Sequence, residues 1–439
     1  MTKVLGAIVI ARSGDRTHFH QEPRTYKGGN TETTALGEAQ SYQLGQLIRN
    51  LYLNPSSASY IDGMHPDVVD NKEIKVRVKA GAEGTVVFDS AIAFLQGMYP
   101  PNPKNKIELA NDTTVTAPLN GYQYVPVETV EPVNDRSLES WTDCPTFERH
   151  VAQFYASEEF KKKEREAEPF FRAVRDFVFG RPTTLQNAAN IYDYIQTELT
   201  YNKTFAHRLP PKMVEQARYW ADYHENGIFS DKEPSGVGNI AGRTMLHTIL
   251  TAFERISFND DPLQFMLVET SYHPFISFFN EVAVTKEHPE LKAIPNFASA
   301  LVIELRRGNP PDLRDFVRFK FKNGTDSDFK TLYVYGHHAD IPLTEFIYKS
   351  KGGVITSNRQ WAEVCGRRRS FGAEILEGAT GGNTILGFAL AVVSLFAIVV
   401  MSKFVKKVRN TRRTVRLEGE ETYINPTVNK PAEKADIRV

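Results

Sequence analysis

The order of apolar and polar positions divides the chain into three kinds of segment. The first is the strand pattern. Val4 to Ala11 is almost continuously apolar, which reads as a buried parallel core strand, and it runs straight into Arg12-Ser13-Gly14-Asp15-Arg16-Thr17. Ile74 to Lys79 alternates, and strand patterns resume at Phe265 to Val268, Ala300 to Leu305, Phe316 to Lys322 and Thr331 to Tyr335. The second kind is helical. Leu36, Ala39, Tyr42, Leu44, Ile48 and Leu51 favour one face of a helix from Thr34 to Tyr52, and Thr85 to Met98 reads as another that Pro100-Pro101 stops. From Cys144 to about Ile256 the pattern is helical throughout, with Leu185, Ala188, Ile191, Tyr192, Ile195 and Leu199 at helical spacing and Pro210-Pro211 opening a helix through Tyr223. Strands and helices, then a helical block, then strands again predict an α/β core interrupted by a helical cap. Ligands of such cores bind beyond the C-terminal ends of the strands, where the Arg12 loop lies.

The third kind is a single uncharged run, Thr384 to Ser402, which also lacks proline. At about 1.5 Å per residue it matches a hydrocarbon core of roughly 30 Å, so it reads as one membrane span. Arg367, Arg368 and Arg369 precede it, whereas Lys403, Lys406, Lys407, Arg409, Arg412, Arg413 and Arg416 follow it. That imbalance places the tail in the cytosol and the large N-terminal domain in a lumen or outside the cell. The basic run could attract anionic lipid, or serve as a plain stop-transfer flank. Met1-Thr2-Lys3 before an apolar run faintly resembles a secretory leader, but those apolar residues are needed as the first core strand. From about Leu417 the tail is polar, poor in aromatics and expected to be disordered.

Composition adds little to this picture. Basic and acidic residues balance at 53 each, so nothing suggests nucleic acid as a partner. Sequons at Asn111, Asn202 and Asn323 all precede the span, as N-glycosylation of a lumenal domain requires. Cys144 and Cys365, the two cysteines of the chain, are either buried thiols or, in a lumenal setting, one disulfide.

Several motifs together resemble the histidine acid phosphatases, branch 2 of the histidine phosphatase superfamily, and particularly their fungal membrane-anchored members. Arg12-Ser13-Gly14-Asp15-Arg16-Thr17 is similar to that family's Arg-His-Gly-x-Arg-x-Pro. Thr34-Ala-Leu-Gly-Glu38 with Gln43-Leu-Gly-Gln-Leu-Ile48 resembles its "T-x-x-G-x-x-Q…LG" helix, and Asp89 to Pro101 resembles its "SA-x-x-F-x-x-GLYPP" segment. The resemblance covers residues 4–366. It implies a phosphoglycerate-mutase-like α/β core sheet with helices on both faces, an inserted helical cap, and a disulfide between Cys144 and Cys365. The expected organisation is 1–143 and 257–377 for the two parts of the core, 144–256 for the cap, 378–383 for a spacer, 384–402 for the transmembrane helix and 403–439 for a basic, then disordered, cytosolic tail.

The resemblance also implies a phosphate pocket, and here the chain departs from the pattern. The family's imidazole nucleophile attacks phosphorus while arginines hold the phosphoryl oxygens through charge-assisted, fork-shaped hydrogen bonds. Arg12 and Arg16 match, but Ser13 stands at the nucleophile, Val86 at a third arginine four residues before Ser90, and Tyr272-His273 at the His-Asp acid pair. No metal or other cofactor is implied. The expected function is therefore a catalytically impaired, membrane-anchored protein that binds phosphate, a phosphorylated ligand or a protein partner through a remnant arginine pocket. Three alternatives stand beside it. Ser13 could act as nucleophile if His18, His20 or His273 served as base. His337, His338 and Asp340 could form a relocated acid site, or a polar surface loop. The domain could also be a structural surface protein, with Arg16 or Asp15 merely locking the loop by salt bridges.

Overall fold

A computed structural model describes residues 2–81, 83–257, 261–336 and 339–367. The spacer, the 384–402 span, the tail and the His337-His338 pair lie outside the described residues. Among the described residues no helix is long and apolar enough to cross a membrane.

The core is one mixed sheet. Its strands are β1 (Lys3–Arg12), β2 (Ile74–Lys79), β5 (Val127–Val130), β6 (Phe265–Thr270), β7 (Ala300–Arg307), β8 (Asp315–Lys322), β9 (Lys330–Leu332) and β10 (Asp340–Pro342), while β3 (Lys106–Glu108) and β4 (Thr114–Thr116) form a separate exposed hairpin. The order is β10-β8-β7-β1-β6-β2-β5, with β9 on β8. β1 pairs parallel with β6 but antiparallel with β7, so the first strand is not flanked by parallel neighbours alone. The last expected strand stops at Leu332, because Tyr335 turns into left-handed backbone at φ 55°.

Helices cover both faces. α1 (Ala35–Tyr52) and α2 (Gly84–Met98) bury Leu44, Ile48, Phe94 and Leu95 against Val9, Ala11, Val76 and Val78. A single turn, α3 (Pro118–Gly121), precedes β5. Between β5 and β6 comes a helical block: α4 (Pro145–Ala156), α5 (Glu158–Val174), α6 (Ala188–Tyr201), α7 (Lys203–Arg208), α8 (Pro211–Ile228) and α9 (Ile240–Ser257). It has its own aromatic and aliphatic centre, including Phe160, Phe171, Leu185, Ile191 and Ile195. α9 and α10 (His273–Glu281) return to the second face of the sheet, with Ile249, Phe253, Phe275 and Phe278 on Ile8, Ile10, Met266 and Val268. α11 (Leu343–Ser350) and α12 (Asn358–Val364) finish the fold, and Cys365 is bonded to Cys144.

α1 buries Leu44 and Ile48 of the face its large residues suggested, but that face is rotated toward its small residues. The buried side is Gly37, Ser41, Leu44, Gly45, Ile48 and Tyr52, whereas Leu36 and Ala39 are exposed. The reason is close backbone approach: a Cβ on Gly45 would stand 2.0 Å from the Phe94 carbonyl oxygen, and one on Gly97 2.1 Å from that of Tyr42. At its first turn the helix meets the motif loop in the same way. A Cβ on Gly37 would lie 2.0 Å from the Asp15 carbonyl oxygen, and one on Gly14 2.1 Å from that of Gly37. Gly37→Ala is therefore expected to destabilise the domain by about 1–3 kcal/mol through overpacking. Chemical denaturation reads this, and the gain of up to about 1 kcal/mol that Gly→Ala gives at an exposed helical site would contradict the contact.

Candidate active site

The loop after β1 is held in place before any side-chain chemistry begins. Its backbone is tied to the neighbouring strands: Arg12 N–H donates to Ser299 O at 2.8 Å, and Ser13 N–H to Thr270 O at 3.1 Å. Gly14 N–H donates to Ser90 Oγ at 3.1 Å, and Asp15 N–H to Gln40 Oε1 at 2.9 Å. Thr34, the N-cap of α1, accepts from Gly37 N–H and donates to the Asp15 carboxylate at 2.6 Å. The Tyr201 hydroxyl donates to the same carboxylate. Asp15 thus locks the loop through hydrogen bonds alone.

Ser13 is 1% exposed, and its Oγ has no hydrogen-bond partner among the described residues. His18 is half-buried beside Tyr194 with burial lowering its pKa, and His20 is exposed. His273 makes its bonds elsewhere. Among the described residues no base stands within hydrogen-bonding distance of the hydroxyl, which a serine nucleophile needs.

The two arginines are both buried but differently answered. Arg16 donates from Nε to Glu83 at 3.1 Å and from NH1 to Asp193 at 2.8 Å. Burial works against its charge, but Asp193 and Glu83 outweigh it and raise its pKa. Arg12 forms no ion pair among the described residues. Its NH1 donates to the Pro295 carbonyl, and its guanidinium lies 4.1 Å from the Phe297 ring centre and 5.3 Å from that of Tyr272. Burial first, and Arg16 second, pull its pKa down to about 10. The space beside both guanidiniums, lined also by Asp193, Tyr272 and Phe297, is about 20 Å³, room for about one water.

Val86 is fully buried on α2 and contributes no charge. The third cation is Lys79, at the C-terminal end of β2. It is 4% exposed, 3.0 Å from Glu139 and 4.0 Å from the second oxygen of Glu83. Strand alternation gave a sign of it: Lys75, Arg77 and Lys79 share one face of β2, opposite Ile74, Val76 and Val78. Glu83 and Asp193 carried no such sign, one preceding a helix and the other inside one.

Tyr272-His273 sits where expected, at the junction of β6 and α10. Its bonds form a closed network. His273 Nε2 meets Gln21 Oε1 at 2.7 Å and its Nδ1 meets the Ser271 hydroxyl at 2.9 Å, so a neutral ring that donates from Nε2 satisfies both. Gln21 Nε2 donates to the Tyr272 hydroxyl at 2.8 Å, which donates in turn to Glu225 at 2.8 Å. Glu225 is fully buried and also accepts from Tyr26 at 2.9 Å. The His273 ring lies against Tyr272, Trp141 and Phe229. Burial foremost, then Lys79, Arg12 and Arg16, push its pKa well below 6.5, and it remains neutral. Beneath the loop, Glu269 is 1% exposed with one oxygen unpartnered, and burial raises its pKa well above the ordinary value.

The other candidates lie apart. Asp340 is held bidentately by Arg318 at 2.7 and 2.6 Å, which commits its carboxylate to a structural pair. All three sequon asparagines are exposed: Asn111 lies by the β3–β4 hairpin, Asn202 caps α7, and the Asn323 side chain accepts from Asn296 N–H at 2.8 Å. One group of possible metal ligands, His65, Asp70 and Glu73, stands before β2, at the opposite end of the sheet from the arginines. His65 Nδ1 and Glu73 already meet there at 2.6 Å.

Comparison with known proteins identifies the family and the fold. The sequence profile of the histidine phosphatase superfamily (branch 2) matches residues 11–322. Prostatic acid phosphatase of Bos taurus is 22% identical over 374 residues, covering 83% of this chain and 88% of that protein. Among solved structures, the phytase of Klebsiella sp ASR1 superposes with a TM-score of 0.56 at 12% identity, over 82% of this chain and 98% of its own. The phytase of Citrobacter braakii gives 0.54 at 10% identity, over 83% and 99%.

A neutral, buried histidine has a measurable consequence. The unfolded chain takes up a proton on His273 below about pH 6.5 and the folded chain does not, so the unfolded state binds more protons there. Stability is then expected to fall on acidification through this window, by up to about 1.4 kcal/mol per pH unit from this group. Denaturant midpoints for the wild type and His273→Asn check it. A slope that the substitution leaves unchanged would exclude His273 as its source.

Proposed function

Since the chain belongs to branch 2 of the histidine phosphatase superfamily, we propose that it keeps that fold as a membrane-anchored, catalytically impaired protein in which Arg12 and Arg16 are a remnant cradle for phosphate or a phosphorylated ligand. The relatives named above are an acid phosphatase and phytases, which sets the ligand class this cradle would take. The observation that carries the reading is Ser13, whose buried hydroxyl has neither a base nor any other hydrogen-bond partner among the described residues.

Two further observations support it. A general acid must hold a proton it can release toward a leaving group. His273 is neutral at working pH, and its ring N–H is directed at Gln21 rather than at the arginines. The small space beside Arg12 and Arg16 leaves no room for a phosphomonoester in the described conformation. In a serine protease, loss of the nucleophile alone costs about 10⁶ in turnover. Arg12, buried without a carboxylate partner among the described residues, is what favours ligand binding over a purely structural domain.

The anchor rests on the apolar run 384–402 and its basic C-terminal flank. In this reading the domain faces a lumen or the exterior and the tail faces the cytosol.

The full-length chain in detergent is expected to show no turnover of a generic phosphomonoester above buffer between about pH 4 and 8. Ser13→His alone is expected to restore none, because Arg16 stays paired and His273 stays neutral. Turnover that disappears with Ser13→Ala would replace this reading with a serine-based phosphatase.

A further inference from the structure

The arginine cradle is unequal, and the helical block makes it so. Three residues spaced along one face of α6 reach the motif loop. Asn190 accepts from Gln21 N–H at 2.9 Å and donates to Gln21 O at 2.7 Å. Asp193 accepts from Arg16 at 2.8 Å through one oxygen and from Phe19 N–H at 2.8 Å through the other. Tyr201 donates to Asp15. Asp193 therefore does to Arg16 what a ligand oxyanion would do, offering two acceptor oxygens to a guanidinium and a backbone N–H. It also lines the same small space as Arg12.

We propose that Asp193 is an internal competitor for the cradle: an anionic group of phosphate or sulfate type reaches Arg12 and Arg16 together only when α6 withdraws this carboxylate. The inference rests on the reading that the two arginines still form a cradle. Glu83 is the fixed counter-charge. Its side chain is 3% exposed and lies between Arg16 and Lys79, so it stays buried and balanced whether or not a ligand is present. Asp193 is the removable one. Its side chain is 17% exposed, and it sits on a helix outside the sheet, so it can return to water once an incoming oxyanion answers Arg16 in its place. Entry without withdrawal would set a dianion beside two carboxylates around one guanidinium, which like-charge repulsion disfavours. Withdrawal also frees the Phe19 N–H, a second donor for the incoming group.

Titration of the full-length chain with inorganic phosphate tests this. Asp193→Asn is expected to bind phosphate about tenfold or more tightly than the wild type, since the competent state no longer has to displace a charge. Arg12→Ala placed on that background is expected to abolish the binding. Equal affinities for wild type and Asp193→Asn, both lost with Arg12→Ala, would overturn the competitor and leave the cradle. Binding by neither protein would overturn both. A readout that needs no variant is amide exchange in the wild type at Gln21, whose N–H is bonded to Asn190 of the same helix. Phosphate at about ten times the wild-type Kd is expected to speed it as α6 draws off the loop; unchanged or slower exchange would overturn the proposal.

Discussion

Two guanidinium groups buried at the end of one strand govern this molecule. Water cannot answer them, so the chain must, and each solution shapes a different region. For Arg16 the answer is a pair of carboxylates, one from the start of α2 and one from α6, which binds the sheet and the helical block to the same residue. For Arg12 the answer is a carbonyl and two aromatic rings, which leaves its charge without a counter-ion in contact among the described residues. The difference divides the site into a closed half and an available half.

The closed half continues into the polar network around His273. Ser271, His273, Gln21, Tyr272, Glu225 and Tyr26 pass hydrogen bonds from one to the next with no exposed member. Networks of this kind specify one arrangement strongly, because breaking one bond leaves a buried polar group unsatisfied. A histidine held in such a network is part of the core rather than a reagent. Ser13, Thr270 and Glu269 show the opposite condition, each with a buried atom that finds no partner among the described residues. Both conditions meet within a few residues of the motif.

Much of the fold could be read from periodicity, and the failures have physical causes. β2 was expected and found at Ile74 to Lys79, and Tyr272-His273 lies between a strand and a helix as its flanks suggested, because strand alternation, apolar runs and proline-marked helix starts are local signals. The face of α1 was partly misread because its packing depends on glycines, which have no hydrophobicity to count. Val86 drew attention to a buried apolar helix face, while the cation that stands beside the site ends a strand seven residues earlier. Asp193 was invisible for a third reason. It lies far along the chain from Arg16, and only the folding of the helical block over the loop brings them together.

The bond between Cys144 and Cys365 has a mechanical meaning. It joins the first residue of the helical block's leading turn to the last turn of α12. α12 is further fastened to the segment before Cys144, through the Trp361 ring N–H on Ser140 O and through Asn358 on Arg136 N–H and Asn134 O. Tension applied where the chain leaves the domain would thus enter at one covalent staple and travel into α4, bypassing the edge strands of the sheet. Such a domain can be pulled on from its C-terminal end without peeling β10 from β8, and the strand bearing Arg12 lies outside the path of the load.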